Sequence, residues 1–131
     1  MKRAITLLLL TLLANACESD RPNTPHNEHI AAAGMFTDRY AHSRLAHWDI
    51  RARAAGADCG VLLIETAIVM EDSMVEALHY GGGAYDVYEG GAQQFWRDRG
   101  FRGVAYKDGT GRVWTYGDVT MAEGQALTPC R

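Results

Sequence analysis

The sequence predicts an α+β domain: an antiparallel sheet of about four strands, in two hairpins, packed with one long and one short helix. Three observations lead there. The apolar run VLLIETAIVM (61–70) is followed by Glu71-Asp72-Ser73 and a second run, MVEALHYG (74–81). Further on, FRGVAYK (101–107) and RVWTYG (112–117) flank Asp108-Gly109-Thr110-Gly111, a strong hairpin-turn signal. A stretch with helical spacing precedes each pair, at 30–55 and at 92–99.

At the start of the chain, Lys2-Arg3, an apolar run over 5–13 and the small residues Ala14-Asn15-Ala16 follow in the order of a signal peptide, residues 1–16. The run is too short to cross a bilayer, which takes ~20 residues. Cys17 comes next. A small residue directly before a cysteine at the end of such a leader resembles the bacterial lipoprotein signal, in which the cysteine carries lipid and becomes the mature N-terminus. Plain cleavage after Ala16 is the alternative. The resemblance implies a membrane partner through an N-terminal lipid anchor, and a place in the bacterial cell envelope.

Residues 17–29 read as a flexible tether, because ESDRPNTPHNE (18–28) holds two prolines and no apolar period. His26 and His29 lie in it as an H-x-x-H pair without further ligands, so spacer is the better reading than metal site. The remainder, 30–131, reads as a single domain, and its 47% hydrophobic content over the chain suffices for a core. The helix over 30–55 carries Ala41, Leu45, Trp48, Ala52 and Ala55 in one stripe and stops at Gly56.

In the first hairpin, 61–70 is apolar on both faces and should be a central strand. A two-residue turn at Asp72-Ser73 then opposes Thr66 to His79 and Glu65 to Tyr80. A carboxylate in an apolar strand must be paired or kept protonated, which makes Glu65 the first candidate general acid or base. Tyr80 would donate a hydrogen bond to it. His79, next to Gly81-Gly82-Gly83, is the second candidate, since glycines let a ligand approach the backbone. The ordinary readings are an arginine partner for Glu65 and a hydrogen-bonded strand-end role for His79.

Three cysteines are present, and a lipid on Cys17 leaves Cys59 and Cys130 to pair in an oxidising compartment. Net charge is −3, and loss of Lys2 and Arg3 makes the mature chain more acidic, which argues against a nucleic-acid partner. Nucleophile-elbow, zinc-protease and phosphate-loop spacings are missing, so no cofactor or metal is expected. Tyr85, Tyr88, Trp96, Tyr106, Trp114 and Tyr116 fit a sugar or peptide groove or, more simply, core packing. The reading favoured is a small binding or interaction module of the envelope, with an envelope protein or a small ligand as partner. A small hydrolase using Glu65 or His79 is the alternative, and a structural subunit with an exposed apolar patch is a third.

Overall fold

A computed structural model describes residues 25–83 and 87–131. The predicted leader, Cys17 and the tether as far as residue 24 lie outside the described residues, as does Tyr85. The class is α+β, but the sheet is mixed rather than wholly antiparallel.

Helix α1, Pro25–Ala41, begins inside the stretch read as tether and runs through Gly34 without a break. Proline suits the first helical turn, where its missing N–H costs nothing. The face formed by Ala32, Ala33, Phe36 and Tyr40 is buried. His29, expected in a solvated spacer, instead has Nδ1 2.9 Å from the Cys59 carbonyl, and its ring stacks on Phe101 at 4.2 Å.

The helix predicted to reach residue 55 ends at Ala41. Ser43 turns the chain: its hydroxyl donates to the Tyr40 carbonyl at 2.7 Å and accepts from the Leu45 N–H at 3.1 Å. Such local bonds compete with helix continuation. A single 3₁₀ turn, Ala46–Trp48, and Asp49 at φ 50° lead into strand β1, Arg51–Ala55. There Arg51 and Arg53 face water while Ala52 and Ala54 are buried, a period of two.

Strand β2, Val61–Glu65, is half the length predicted, and residues 66–70 leave the sheet. It is nonetheless central. It pairs antiparallel with β1 and parallel with β3, Gly103–Lys107, which pairs antiparallel with β4, Val113–Gly117. The order is β1-β2-β3-β4. The second hairpin forms as predicted; the first does not.

The predicted return strand is helix α2, Asp72–Tyr80. Glu76, Ala77 and Leu78 are good helix formers. Val75, Leu78 and His79 are buried at helical spacing, and Gly81 ends the helix. Parallel neighbours cannot be joined by a tight turn. Among its described residues the crossover from β2 to β3 carries helices α2 and α3 (Gly91–Asp98), the latter close to its predicted limits.

The tip of the second hairpin is docked on the start of this crossover. Asp108 is buried, and its Oδ1 accepts from the N–H groups of Thr110 (2.9 Å) and Arg112 (3.0 Å) and from the Thr110 hydroxyl (2.6 Å). Its Oδ2 accepts from the Met70 N–H at 3.0 Å. Burial alone would raise its pKa, but these hydrogen bonds outweigh it and bring the carboxyl down to about 2. Gly109 donates its N–H to the Ile68 carbonyl at 2.8 Å, and a Cβ there would lie 2.2 Å from the Ala67 carbonyl oxygen. Only glycine fits so close an approach.

The tail, predicted to be irregular, holds a short helix, α4 (Met121–Gln125), whose Thr120 hydroxyl accepts from the Glu123 N–H. It then returns along β1: the Gly56 N–H donates to the Thr128 carbonyl at 3.1 Å and the Cys130 N–H to the Ala54 carbonyl at 2.8 Å. Cys59 and Cys130 are disulfide-bonded, as predicted, with Cα atoms 5.9 Å apart. Arg102 ties the same corner by bonding both Asp58 and Glu123 at 2.8 Å. One sheet face packs on α1, α2 and α3 through Leu62, Ile64, Val104 and Tyr106. The other, smaller face packs Val61, Leu63, Ala105 and Val113 against Val119 and Leu127.

In Asp108→Asn, an amide N–H₂ replaces an acceptor for at least one buried N–H. We expect a loss of about 2 kcal/mol in urea unfolding, with an unchanged slope, because a buried donor left without its acceptor costs roughly that much.

Candidate functional site

The sheet keeps the three predicted site residues from forming one group. Glu65 lies on the α4 side, where its carboxylate is ion-paired with Arg53 across the β1–β2 pair. Lys107, Gln125 and Leu127 complete a shallow cleft of about 260 Å³ around it. His79 and Tyr80 belong to α2, on the opposite face. The predicted oppositions of Glu65 to Tyr80 and of Thr66 to His79 are therefore corrected. Thr66 bonds the Trp48 carbonyl instead.

His79 is fully packed, at 3% exposure. Its ring stacks on Tyr116 at 3.7 Å, and its Nδ1 shares a hydrogen bond of 3.1 Å with the Tyr106 hydroxyl. Tyr80 stands edge-on to it at 4.7 Å and is itself 55% exposed. Burial, and secondarily the charge of Arg97, lowers the His79 pKa to about 4, so the ring is neutral at physiological pH. Burial also pushes the Tyr106 hydroxyl well above its ordinary range. Three tyrosines and a neutral histidine make a packed polar–aromatic cluster with Tyr80 at its surface.

From that cluster a strip runs along the outer side of α2 and β4. Asp72, in the first turn of α2, accepts from Arg112 at 2.6 Å and from the Trp114 indole N–H at 2.9 Å. The Arg112 guanidinium lies over the Trp114 ring, 4.5 Å from its centre. Trp114 and Tyr116 are half-buried, and exposed Glu76 sits between Asp72 and Tyr80 on α2.

The strip borders the β4 edge of the sheet. The Asp108 N–H donates to the Arg112 carbonyl and the Asp118 N–H to the Arg102 carbonyl, which sets the phase of the β3–β4 ladder. Trp114 and Tyr116 thus turn their main-chain groups towards β3, and Val113, Thr115 and Gly117 turn theirs outward. Among the described residues those outward groups have no main-chain partner. The far edge is different. There Thr37 bonds the Ala52 N–H at 2.8 Å, and the tail takes the Ala54 carbonyl and the Gly56 N–H.

Sequence reasoning missed this edge. The hairpin that contains β4 was legible, but its place at the rim depends on strand order. Among the described residues no group of three or more histidine, cysteine or carboxylate side chains is placed to hold a metal, and no helix is long and apolar enough to cross a membrane. No family model matches the chain, and no match was found among curated proteins or solved structures.

The buried histidine makes the fold acid-sensitive. Unfolded, its ring takes a proton near pH 6.5; folded, only near 4. The unfolded chain binds the extra proton between those values, so stability falls as pH drops from 6.5 towards 4 and that contribution is then spent. The loss should be about 3 kcal/mol at most, at 1.36 kcal/mol per unit. Unfolding measured by urea at stepwise lower pH should show it, and His79→Phe should flatten the slope in that window.

Proposed function

We propose that this chain is an exported, lipid-anchored interaction module of the bacterial envelope that takes an extended polypeptide segment at the β4 edge. The observation that carries the reading is the contrast between the two edges of the sheet. One is closed by Thr37 and by the disulfide-tethered tail; the other offers a row of free N–H and C=O groups beside Trp114, Tyr116 and Tyr80. Strand addition uses such a row for affinity and neighbouring side chains for choice of partner. Exposed aromatic rings supply anchors of the kind that dominate binding energy. The leader, Cys17 and the Cys59–Cys130 bridge support the compartment.

A photo-crosslinking residue placed at position 115 should join the protein to a discrete polypeptide in intact envelopes. The same residue at exposed position 98, on α3, should give none of that product. Equal products from both positions would sink the edge as the contact surface.

The anchor is tested separately. Cys17→Ser should move the protein from the membrane fraction to the soluble one. Unchanged partitioning would remove the lipid from the reading.

A further inference from the structure

We infer that the segment taken up at the β4 edge is β4 of a second copy of this chain, so that two sheets join about a two-fold axis through Thr115. The inference rests on the reading of that edge as the contact surface and names its occupant.

The strand is complementary to itself in one register. Antiparallel pairing about Thr115 sets Thr115 against Thr115, Val113 against Gly117, Trp114 against Tyr116 and Arg112 against Asp118, each pair occurring twice except the first. Val113, Thr115 and Gly117 are the residues whose main-chain groups point outward, so this register matches every outward group with another. A one-residue slip would set outward groups against groups already bonded to β3. A two-residue slip keeps the polarity but puts Arg112 against Tyr116, or Trp114 against Asp118, and shortens the overlap.

The side chains fit the same register. Trp114 and Tyr116 lie on the α2 face, are half-buried, and would form two aromatic cross-strand pairs. On the other face α4 lies over β4, with Gly124 against Thr115 and Val113, and across the axis Val113 meets a glycine, which has no side chain to clash. At each end an arginine meets an aspartate, a pairing that opposes like-charged alternatives. The strand turns at Gly117, whose φ is 79°, and Asp118 is held just beyond it by the bonds of its N–H and its carbonyl to Arg102. Arg112, bonded to Asp72 of its own chain, is the cation that Asp118 of the other copy would meet. Because the β1 edge is closed, association stops at two copies.

The full chain, purified in mild detergent, should have twice its monomer mass by light scattering at about 100 μM, after subtraction of bound detergent. Thr115→Cys places a thiol on the axis and should give a cross-linked dimer under oxidation, whereas Thr110→Cys, away from it, should not. Thr115→Pro removes an N–H that the isolated fold does not use, a change edge strands tolerate. It should yield a monomer with an unchanged circular dichroism spectrum. Arg112→Asp should weaken association at least about tenfold, and adding Asp118→Arg should restore it. A monomeric full chain at that concentration, or a dimer that survives Thr115→Pro, overturns the inference. If the monomer still cross-links through position 115 to another envelope polypeptide, the interaction-module reading stands and only the second copy falls. If it cross-links to nothing, both fall.

Discussion

Because β2 and β3 run in the same direction, the chain cannot return from one to the other by a turn, and the rest of the architecture follows from that constraint. The connection between them must travel the length of the sheet, and its described residues include helices α2 and α3 laid over one face. This path carries His79 and Tyr80 to the α1–α3 side while Glu65 stays behind on the other. It also leaves the second hairpin to finish the sheet, so that β4 becomes a rim. A sequence that satisfied the same hydrophobic pattern with two simple hairpins would have joined Glu65 to Tyr80.

Asp108 links the tip of the second hairpin to the segment that follows β2. Its carboxylate serves its own turn with Oδ1 and reaches the crossover with Oδ2, so one buried charge fixes where the hairpin tip meets residues 66–70. Burying it is tolerable because four hydrogen bonds replace the water it loses. His79 uses the opposite solution. It is buried without charge, between Tyr116 and Tyr106, and owes its neutrality to desolvation. The two groups show the two ways a small fold admits an ionisable side chain to its interior.

What could be read from the sequence was local. Asp108-Gly109 announced its hairpin, helical spacing marked the short helix at 92–99, and cysteine arithmetic paired Cys59 with Cys130. Failures came where one short segment satisfies two periods. Arg51 to Ala55 alternates as a strand, yet Ala52 and Ala55 also continue a helical stripe, and Ser43 decides between them by breaking the helix upstream. In 74–81, apolar residues after Glu71-Asp72-Ser73 resemble a strand after a turn. The burial of Val75, Leu78 and His79 against the sheet brings out the helical preference of Glu76-Ala77-Leu78. Glu65 was rightly seen to need a partner, but Arg53 lies on a strand that had been assigned to a helix. The open edge was invisible because order within a sheet is a property of the whole chain.

The Cys59–Cys130 bridge has a meaning beyond the cross-link itself. It pins the tail against β1, where the tail occupies the Ala54 carbonyl and the Gly56 N–H. With the sulfurs reduced, the tail would be retained on β1 by a few main-chain bonds, and peeling it back would uncover the Ala54 carbonyl and the Gly56 N–H while Thr37 still capped Ala52. A building block with one sticky side can only pair, whereas one with two can be stacked without limit. If β4 pairs as proposed, the intact bridge is what keeps the opposite flank out of the assembly.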